Sequence, residues 1–201
     1  MGKGERTRER IVETALERAS VEGLMALSIG DLAATVGMSK SGLFGHFGSK
    51  EALQAAVLDE MLSRFRAVVW DTASTEPAGE PRLRALFDNW LLWVDGYHLA
   101  GGCPITMAAV ELDDQPGPLR DTLAKRQKRW MQALEDEFWV VQLARREEQR
   151  EDPALFAFEL SGIVLSYCAA RRLLRDPRAG SLARTAFDRL LERASGAPVA
   201  A

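Results

Sequence analysis

Residues 28–47 contain two short amphipathic segments separated by a glycine, and this pattern constrains the fold more than any other in the chain. Ser28 followed three residues later by Asp31 is typical of a helix start, because both side chains accept hydrogen bonds from backbone N–H groups of a first turn. Gly37 suits the left-handed position that ends a helix, and Ser39 can cap the next one. Apolar residues of the first segment recur at helical spacing, at Ile29, Leu32, Ala33 and Val36.

The second segment divides into an inner and an outer face. Leu43 and Phe47 are four residues apart and are predicted to face inward. The outer face is left with small and basic residues: Lys40, Ser41, Gly42, Gly45 and His46. Two helices across a tight turn are typical of a helix-turn-helix, whose second helix enters the major groove of DNA. Small outward side chains let that helix approach phosphates and base edges closely.

The segment from Arg8 to Leu53 resembles the DNA-binding domain of the TetR (tetracycline repressor) family of bacterial transcription regulators. The matching positions are Ile11, Ala15, Leu16, Gly23, Leu24, Ser28, Ile29, Leu32, Ala33, Val36 to Lys40, Leu43, Phe44, His46, Phe47 and Ser49 to Leu53. Phe44 departs from the family's usual Tyr, which removes a hydroxyl able to bond a phosphate. Gly45 stands where a larger polar residue often reads a base.

Motif and resemblance together predict that the partner is double-stranded operator DNA. The predicted DNA-binding residues are Ser28, Thr35, Ser39, Lys40, Ser41, Gly42, Phe44, Gly45, His46 and Lys50. The net charge of the chain is −3, and residues 1–50 carry 7 Lys and Arg against 6 Asp and Glu. Binding to DNA therefore requires a local basic face rather than a global attraction. The basic run at 125–129 is interpreted as a solvated helix face.

The composition predicts a chain with a buried core. With 201 residues, 47% of them hydrophobic, the chain has room for one large or two small domains. It has no run of about eighteen apolar residues, so we expect no membrane span and no membrane partner. Its two cysteines, Cys103 and Cys168, do not make a disulfide framework, which favours a cytoplasmic location.

The chain after residue 50 is predicted to be helical, because no segment shows sustained period-two alternation between turn residues. Expected helices occupy 50–69, 83–94, 104–112, a long stretch around 123–138, 153–175 and 181–194, and a tail of small residues follows. The fold class is therefore all-α. A three-helix helix-turn-helix DNA-binding domain is expected at 1–50, and a larger helical ligand-binding and dimerisation domain at 51–201.

The helix predicted after Pro153 has apolar or small residues on two faces. One stripe consists of Phe156, Leu160, Ile163, Tyr167 and Leu174, and the other of Leu155, Phe158, Gly162, Leu165 and Ala169. A helix that is apolar on both sides must be buried on both sides. The central helix of a monomer would satisfy this, but we favour a homodimer, since helix-turn-helix proteins commonly bind two-fold sites. The resemblance likewise implies a dimeric four-helix bundle. We assign the first stripe to the dimer interface.

The residue pattern offers no basis for catalysis. The chain has two histidines and no Gly-rich phosphate loop, CxxC pair or HExxH motif. Glu111, Asp113 and Asp114 lie close in sequence, but without a nearby His or Cys pair they are interpreted as solvated acids rather than metal ligands. We therefore predict no enzyme activity, no catalytic or metal-binding residue and no cofactor.

Aromatic residues of the second half predict a site for a small-molecule effector. Trp90, Trp93 and Trp130 fall on helices that are expected to pack together, and with nearby residues they could line an aromatic cavity; plain core packing is the alternative. The tract from Gly101 to Arg120 also resembles part of the TetR family. Cys103, just before a helix N-terminus, suits either a redox or electrophile sensor or a buried small residue. The predicted ligand-binding residues are Trp90, Trp93, Tyr97, Cys103, Met107, Glu111 and Trp130.

These observations predict a ligand-responsive DNA-binding transcriptional regulator. We expect a repressor that a small apolar molecule releases from operator DNA, by favouring one of two states that differ in the spacing of paired recognition helices. The alternative is a helical ligand-binding or scaffold protein whose helix-turn-helix does not read DNA. Phe44, Gly45 and the net acidity favour that alternative.

Overall fold

The computed structural model describes residues 2–195, and within this range the chain is helical and contains no strand. The α-helices are α1 (Lys3–Glu22), α2 (Ile29–Val36), α3 (Lys40–Phe47), α4 (Lys50–Phe65), α5 (Glu80–Val94), α6 (Pro104–Leu112), α7 (Pro118–Gln142), α8 (Pro153–Cys168) and α9 (Ala179–Ser195). Two π-helical turns, Arg66–Asp71 and Ala169–Leu173, follow α4 and α8 directly. The predicted all-α fold with an N-terminal helix-turn-helix is confirmed. The predicted small-residue tail lies outside the described residues.

Local capping explains where the helix-turn-helix begins and ends. Ser28 Oγ accepts a hydrogen bond from Asp31 N–H at 3.1 Å, and Ser39 Oγ accepts one from Gly42 N–H at 3.1 Å. Gly37 ends α2 in the left-handed conformation, with φ +70°, which a residue with a side chain adopts at a cost. The predicted caps and the predicted turn are therefore confirmed.

The chain divides into two compact units. The first combines the residues up to Phe65 with Gly96–Ala124, and the second combines Arg66–Asp95 with the chain from Lys125 onward. In the first unit α1 packs against α2, α4 and α6, and α2 packs against α3. The division into 1–50 and 51–201 is a functional one and stays a prediction. The first compact unit is larger than the predicted domain 1–50, because α4 and α6 also pack against α1.

Aromatic stacking builds the core of the second unit. Phe87 of α5 stacks on Phe187 of α9 with ring centroids 4.1 Å apart, and Phe138 of α7 stacks on Phe156 of α8 at 4.0 Å. Each of these four rings is almost fully buried. Stacked pairs contribute about 0.5–1.5 kcal/mol beyond the burial of their surface. The two pairs therefore join α5 to α9 and α7 to α8.

α8 belongs to the most apolar stretch of the chain. The segment Glu147–Leu173 is long and apolar enough to cross a membrane by length and composition, and 28% of its most apolar window is buried. A core helix or a helix at a subunit interface meets the same criterion. Within the second unit α8 packs against α9 and α5, so the chain itself covers one side of the helix. That the protein has no membrane span stays a prediction.

Gly101 approaches the end of α1 so closely that no side chain fits. Its N–H donates to Ser20 Oγ at 3.0 Å, and a Cβ at this position would lie 1.6 Å from the Ser20 carbonyl oxygen. We expect Gly101→Ala to lower the free energy of unfolding by about 1–3 kcal/mol, because the backbone must shift to admit the methyl group. Thermal unfolding followed by circular dichroism measures this loss.

The control for that variant is Gly180→Ala in α9. Nothing lies within 4 Å of a Cβ built at Gly180, and Ala stabilises a helix relative to Gly. Its melting temperature should therefore equal or exceed that of the parent protein. Equal melting temperatures for the two variants would contradict the close approach of Gly101 to α1.

Candidate functional site

The predicted recognition helix, α3, is anchored from beneath by two apolar residues. Leu43 is completely buried, and Phe47 is half-buried beneath the guanidinium of Arg8, whose Cζ lies 5.0 Å from the ring centroid. This contact fixes the end of α3 against α1 and is of the cation–π kind. Arg8 was not among the predicted functional residues, because no residue near it in sequence indicates that it contacts Phe47.

The outer surface of α3 is open. Its exposed residues are Lys40, Ser41, Phe44 and Gly45, and Gly42 and His46 are partly exposed. The Phe44 ring keeps 51% of its surface accessible, and nothing lies within 4 Å of a Cβ built at Gly45. Among the described residues, the side chains of Lys40 and His46 make no hydrogen bond. The face therefore combines an uncommitted cation, a partly exposed imidazole, an exposed aromatic ring and an accessible backbone.

Four other predicted DNA-binding residues make contacts within the protein. Ser28 and Ser39 cap α2 and α3. Thr35 Oγ1 donates to the Asp31 carbonyl oxygen at 2.9 Å, and Lys50 Nζ donates to the Met25 carbonyl oxygen at 3.0 Å. Each retains some exposed surface. Their role in DNA binding stays a prediction, whereas their role in shaping the helix-turn-helix is visible directly.

Two of the three tryptophans of the predicted effector site, Trp90 and Trp130, belong to one aromatic group in the second unit. Trp90 and Trp130 meet edge to face with centroids 5.1 Å apart, and Trp70 meets Trp130 in the same way at 6.3 Å. Trp70, which lies in the π-helical turn after α4, was not among the predicted effector residues. Trp93 is 1% exposed and lies in the core. The structure thus brings together Trp90 and Trp130, and adds Trp70.

The other predicted effector residues belong to the first unit. Tyr97 is exposed beside His98, Cys103 is buried directly before α6, and Met107 is partly buried within α6. The burial of Cys103 is what a packing role requires. Glu111 was expected to face an effector, but its carboxylate accepts the backbone N–H of Leu24 at 2.8 Å. A partner 87 residues distant cannot be read from the neighbourhood of Glu111 in sequence.

The structure corrects the predicted dimer interface. Phe156 and Leu160 are 1% and 0% exposed and lie in the chain's own core, so they are not accessible to a partner. Ile163 remains partly exposed and Leu174 exposed, whereas Tyr167 is buried. The open side of α8 is the other stripe, where the exposed residues are Leu155, Phe158, Gly162, Leu165 and Ala169. The assignment to the interface was wrong for Phe156, Leu160 and Tyr167, because both stripes consist of apolar or small residues and the sequence does not show which one the core covers.

A groove of about 560 Å³ runs between α8 and α9 beside this open stripe. Small and apolar residues form most of its lining, among them Gly162, Ile163, Ala170, Leu182, Ala183 and Ala186. Phe158 and Leu182 are 71% and 53% exposed. Large apolar side chains with this exposure, next to a groove lined by small residues, are typical of a surface that a second helix pair covers.

Tyr167 is tied to the end of α5. Its hydroxyl donates to Asp95 Oδ1 at 2.8 Å, and Arg171 Nε donates to the same oxygen at 2.9 Å. Burial, and next the hydrogen bond to the Asp95 carboxylate, raise the pKa of Tyr167 to about 12, because both disfavour the phenolate. The predicted interface residue thus has an internal function in joining α8 to α5.

The acidic residues near α6 do not assemble a metal site. Among residues 2–195, no group of three or more His, Cys, Asp or Glu side chains could hold a metal ion. Asp113 Oδ1 accepts the N–H of Asp114, and Glu111 is turned toward the backbone of Leu24. Glu111 and Asp113 therefore accept hydrogen bonds from different parts of the backbone and do not converge on one point.

The fold and the open α3 surface define a helix-turn-helix protein. Comparison with models of known families identifies the family. Residues 11–57 match the family model described as "Bacterial regulatory proteins, tetR family". Residues 79–187 match the model "Tetracyclin repressor-like, C-terminal domain". The chain therefore belongs to the TetR family of transcription regulators. A search of the curated proteins gave no significant match.

Solved structures of the same family share the fold. A TetR transcriptional regulator from Chloroflexus aurantiacus J-10-fl has 27% sequence identity and a TM-score of 0.81, covering 94% of each chain. A TetR-family regulator from Streptomyces coelicolor has 21% identity and a TM-score of 0.79, covering 94% of this chain and 95% of its own. AibR, solved in complex with isovaleryl coenzyme A and operator DNA, has 24% identity and a TM-score of 0.69, covering 89% of this chain and 96% of its own.

The raised pKa of Tyr167 is directly measurable, because Tyr97 is the only other tyrosine. In Tyr97→Phe protein the ultraviolet absorbance of the remaining phenolate should titrate with a pKa of about 12. Adding Asp95→Asn should lower that pKa, since the nearby negative charge is gone. The stabilisation linked to this proton is complete below the ordinary pKa of 10.0 and is lost as pH rises through about 12. A pKa unchanged by Asp95→Asn would contradict the assigned hydrogen bond.

Proposed function

We propose that this protein is a dimeric transcriptional repressor whose operator affinity falls when a small, largely apolar molecule binds. The observation that carries the proposal is the open face of α3: a capped, internally anchored helix whose Lys40, Ser41, Phe44 and Gly45 are exposed. A helix held in this way is the element that a helix-turn-helix inserts into the major groove. Family membership supports the same assignment.

The distribution of roles on α3 follows from its side chains. Lys40 supplies a charge for a phosphate, and His46 supplies a ring nitrogen at the same surface. Gly42 and Gly45 let the backbone come close to the bases, because neither carries a side chain that would hold the helix away. Phe44 can contact a thymine methyl group, which is an apolar feature of the major groove.

The dimer is proposed to form through the open side of α8 together with α9. Phe158, Leu165 and Leu182 are each more than half exposed. Covering them with the same surface of a second chain would bury apolar area at about 25 cal/mol per Å². A two-fold pairing presents two copies of α3, as a two-fold symmetric operator requires.

The effector is proposed to act through the helices that carry Trp90 and Trp130. Aromatic faces favour apolar ligands, and the edge-to-face arrangement leaves ring surfaces that can repack around one. The complex of AibR with isovaleryl coenzyme A and operator DNA supports the idea that a protein of this fold can respond to an acyl compound. The response requires that the molecule bind the DNA-releasing state more tightly than the DNA-binding state.

Salt dependence tests the DNA-binding face. A mobility-shift assay with DNA from upstream of the protein's own gene, or with a duplex selected from a random library, should give a complex that weakens as salt rises. Lys40→Ala should reduce the slope of log affinity against log salt by about one unit, because one phosphate contact is lost.

Lys128→Ala is the matched control, since it removes one exposed cation from α7, outside the helix-turn-helix. It should leave the slope unchanged. Equal slopes for the parent protein, Lys40→Ala and Lys128→Ala would show that Lys40 does not contact a phosphate. Failure of the parent protein to bind any duplex would favour the helical ligand-binding protein that does not read DNA.

The corrected interface is testable by charge insertion. Phe158→Glu or Leu165→Glu should convert the dimer to monomers, because a carboxylate would be buried at the interface without a partner. Sedimentation velocity measures the change. Val110→Glu is the control, since Val110 of α6 is 70% exposed and belongs to the other compact unit. A dimer that survives both α8 substitutions would refute this interface.

A further inference from the structure

Side chains of two other helices bind the backbone of Leu24 and Met25 in the turn between α1 and α2. Leu24 N–H and Met25 N–H both donate to Glu111 Oε2 of α6, at 2.8 and 3.4 Å. Gln54 Nε2 of α4 donates to the Leu24 carbonyl oxygen at 3.1 Å, and Lys50 Nζ donates to the Met25 carbonyl oxygen at 3.0 Å. Side chains therefore bind both N–H groups and both carbonyl groups of two successive residues.

Leu24 is buried, whereas Met25 is 37% exposed, so the contacts of Leu24 matter most for stability. Leu24 is 1% exposed and Gln54 is 2% exposed, so water does not readily replace a lost partner there. A buried N–H without an acceptor is destabilised by the loss of its hydration. Because the acceptor is a carboxylate, the Leu24 N–H forms a charge-assisted hydrogen bond, which is stronger than one between neutral groups.

Gly23 provides the space that the Glu111 carboxylate occupies. A Cβ at Gly23 would lie 2.0 Å from Glu111 Oε1, and Gly23 itself has φ +97°, a conformation that residues with side chains rarely adopt. The glycine is thus required both for the backbone path out of α1 and for the approach of the carboxylate. The two residues form one arrangement, although 88 positions separate them in the chain.

α6 is attached to the end of α1 at a second point. Gly101, three residues before α6 begins, donates its N–H to Ser20 Oγ at 3.0 Å. Residue 101 is thus hydrogen-bonded to the last turn of α1, and Glu111 is hydrogen-bonded to the turn that follows α1. The turn from which α2 begins is therefore bound to α6, and α3 packs on α2.

We propose that Glu111 is a positioning residue for DNA binding, which holds the α1–α2 turn to α6 and thereby sets the orientation of α2 and α3. This proposal rests on the proposed DNA-binding function. A displacement of α6 lengthens the hydrogen bonds from Leu24 and Met25 and releases the turn.

The test compares three variants in the full-length protein. Glu111→Ala removes the acceptor, Glu111→Gln keeps an oxygen in place but removes its charge, and Asp114→Ala removes a charge from the neighbouring exposed acid. For each protein we would measure affinity for the selected duplex, the slope of affinity against salt, the melting temperature, and hydrogen exchange of the Leu24 and Met25 amides.

Glu111→Ala should weaken DNA binding by about tenfold at temperatures where the protein is fully folded, because a charge-assisted hydrogen bond is lost. Both amides should exchange faster, and the salt slope should stay unchanged because no phosphate contact is removed. Glu111→Gln should give a smaller loss, and Asp114→Ala none. A role in stability alone predicts a lower melting temperature with unchanged affinity of the folded protein.

Three results would overturn the proposal. Unchanged exchange of the Leu24 and Met25 amides in Glu111→Ala would show that the carboxylate does not hold the turn. Faster exchange with unchanged DNA affinity would show that the turn does not position α3. An equal loss of affinity in Asp114→Ala would assign the effect to net charge. If the parent protein binds no duplex, the proposed function itself fails, which the parent measurement distinguishes from failure of the Glu111 proposal.

Discussion

The hydrogen bonds from Leu24 and Met25 to Glu111 are the interaction on which the arrangement of the first unit depends. Buried backbone groups need hydrogen-bond partners, and side chains of α4 and α6 supply them to the N–H and carbonyl groups of Leu24 and Met25. The helix-turn-helix is therefore not an independent appendage. Its geometry includes a residue from α6, which the chain reaches only after passing through α5. The compact unit is therefore larger than the three-helix motif. α6 also contacts the turn that precedes α2 and α3 directly.

Local chemistry made the helix-turn-helix predictable. Ser28 and Ser39 cap the helices that their positions indicated, and Gly37 adopts the left-handed conformation expected after α2. Such features depend on residues within one turn of one another, so the sequence contains the whole cause. The open face of α3 was predictable for the same reason, since Leu43 was expected to face inward and the small residues between the inward positions were left outside.

Longer-range features could not be derived in this way. α8 carries two apolar stripes, and only the packing of Phe156 against Phe138 decides which one lies inside. The seven predicted effector residues divide between two compact units, and Glu111 contacts backbone that lies 87 residues earlier. In both cases the deciding partner is far away in sequence. The one sequence feature that pointed to this contact was Gly23, because a glycine in a turn indicates that another group approaches the backbone closely. It did not indicate that the approaching group is the Glu111 carboxylate.

We propose that two copies of α3 bind one two-fold symmetric operator. Hydroxyl-radical footprinting on the selected duplex, combined with sedimentation of the complex, tests this proposal. We expect two protected segments whose centres are about one helical turn, or a whole multiple of it, apart, with two protein chains on each duplex. A single protected segment with one chain on each duplex would contradict it.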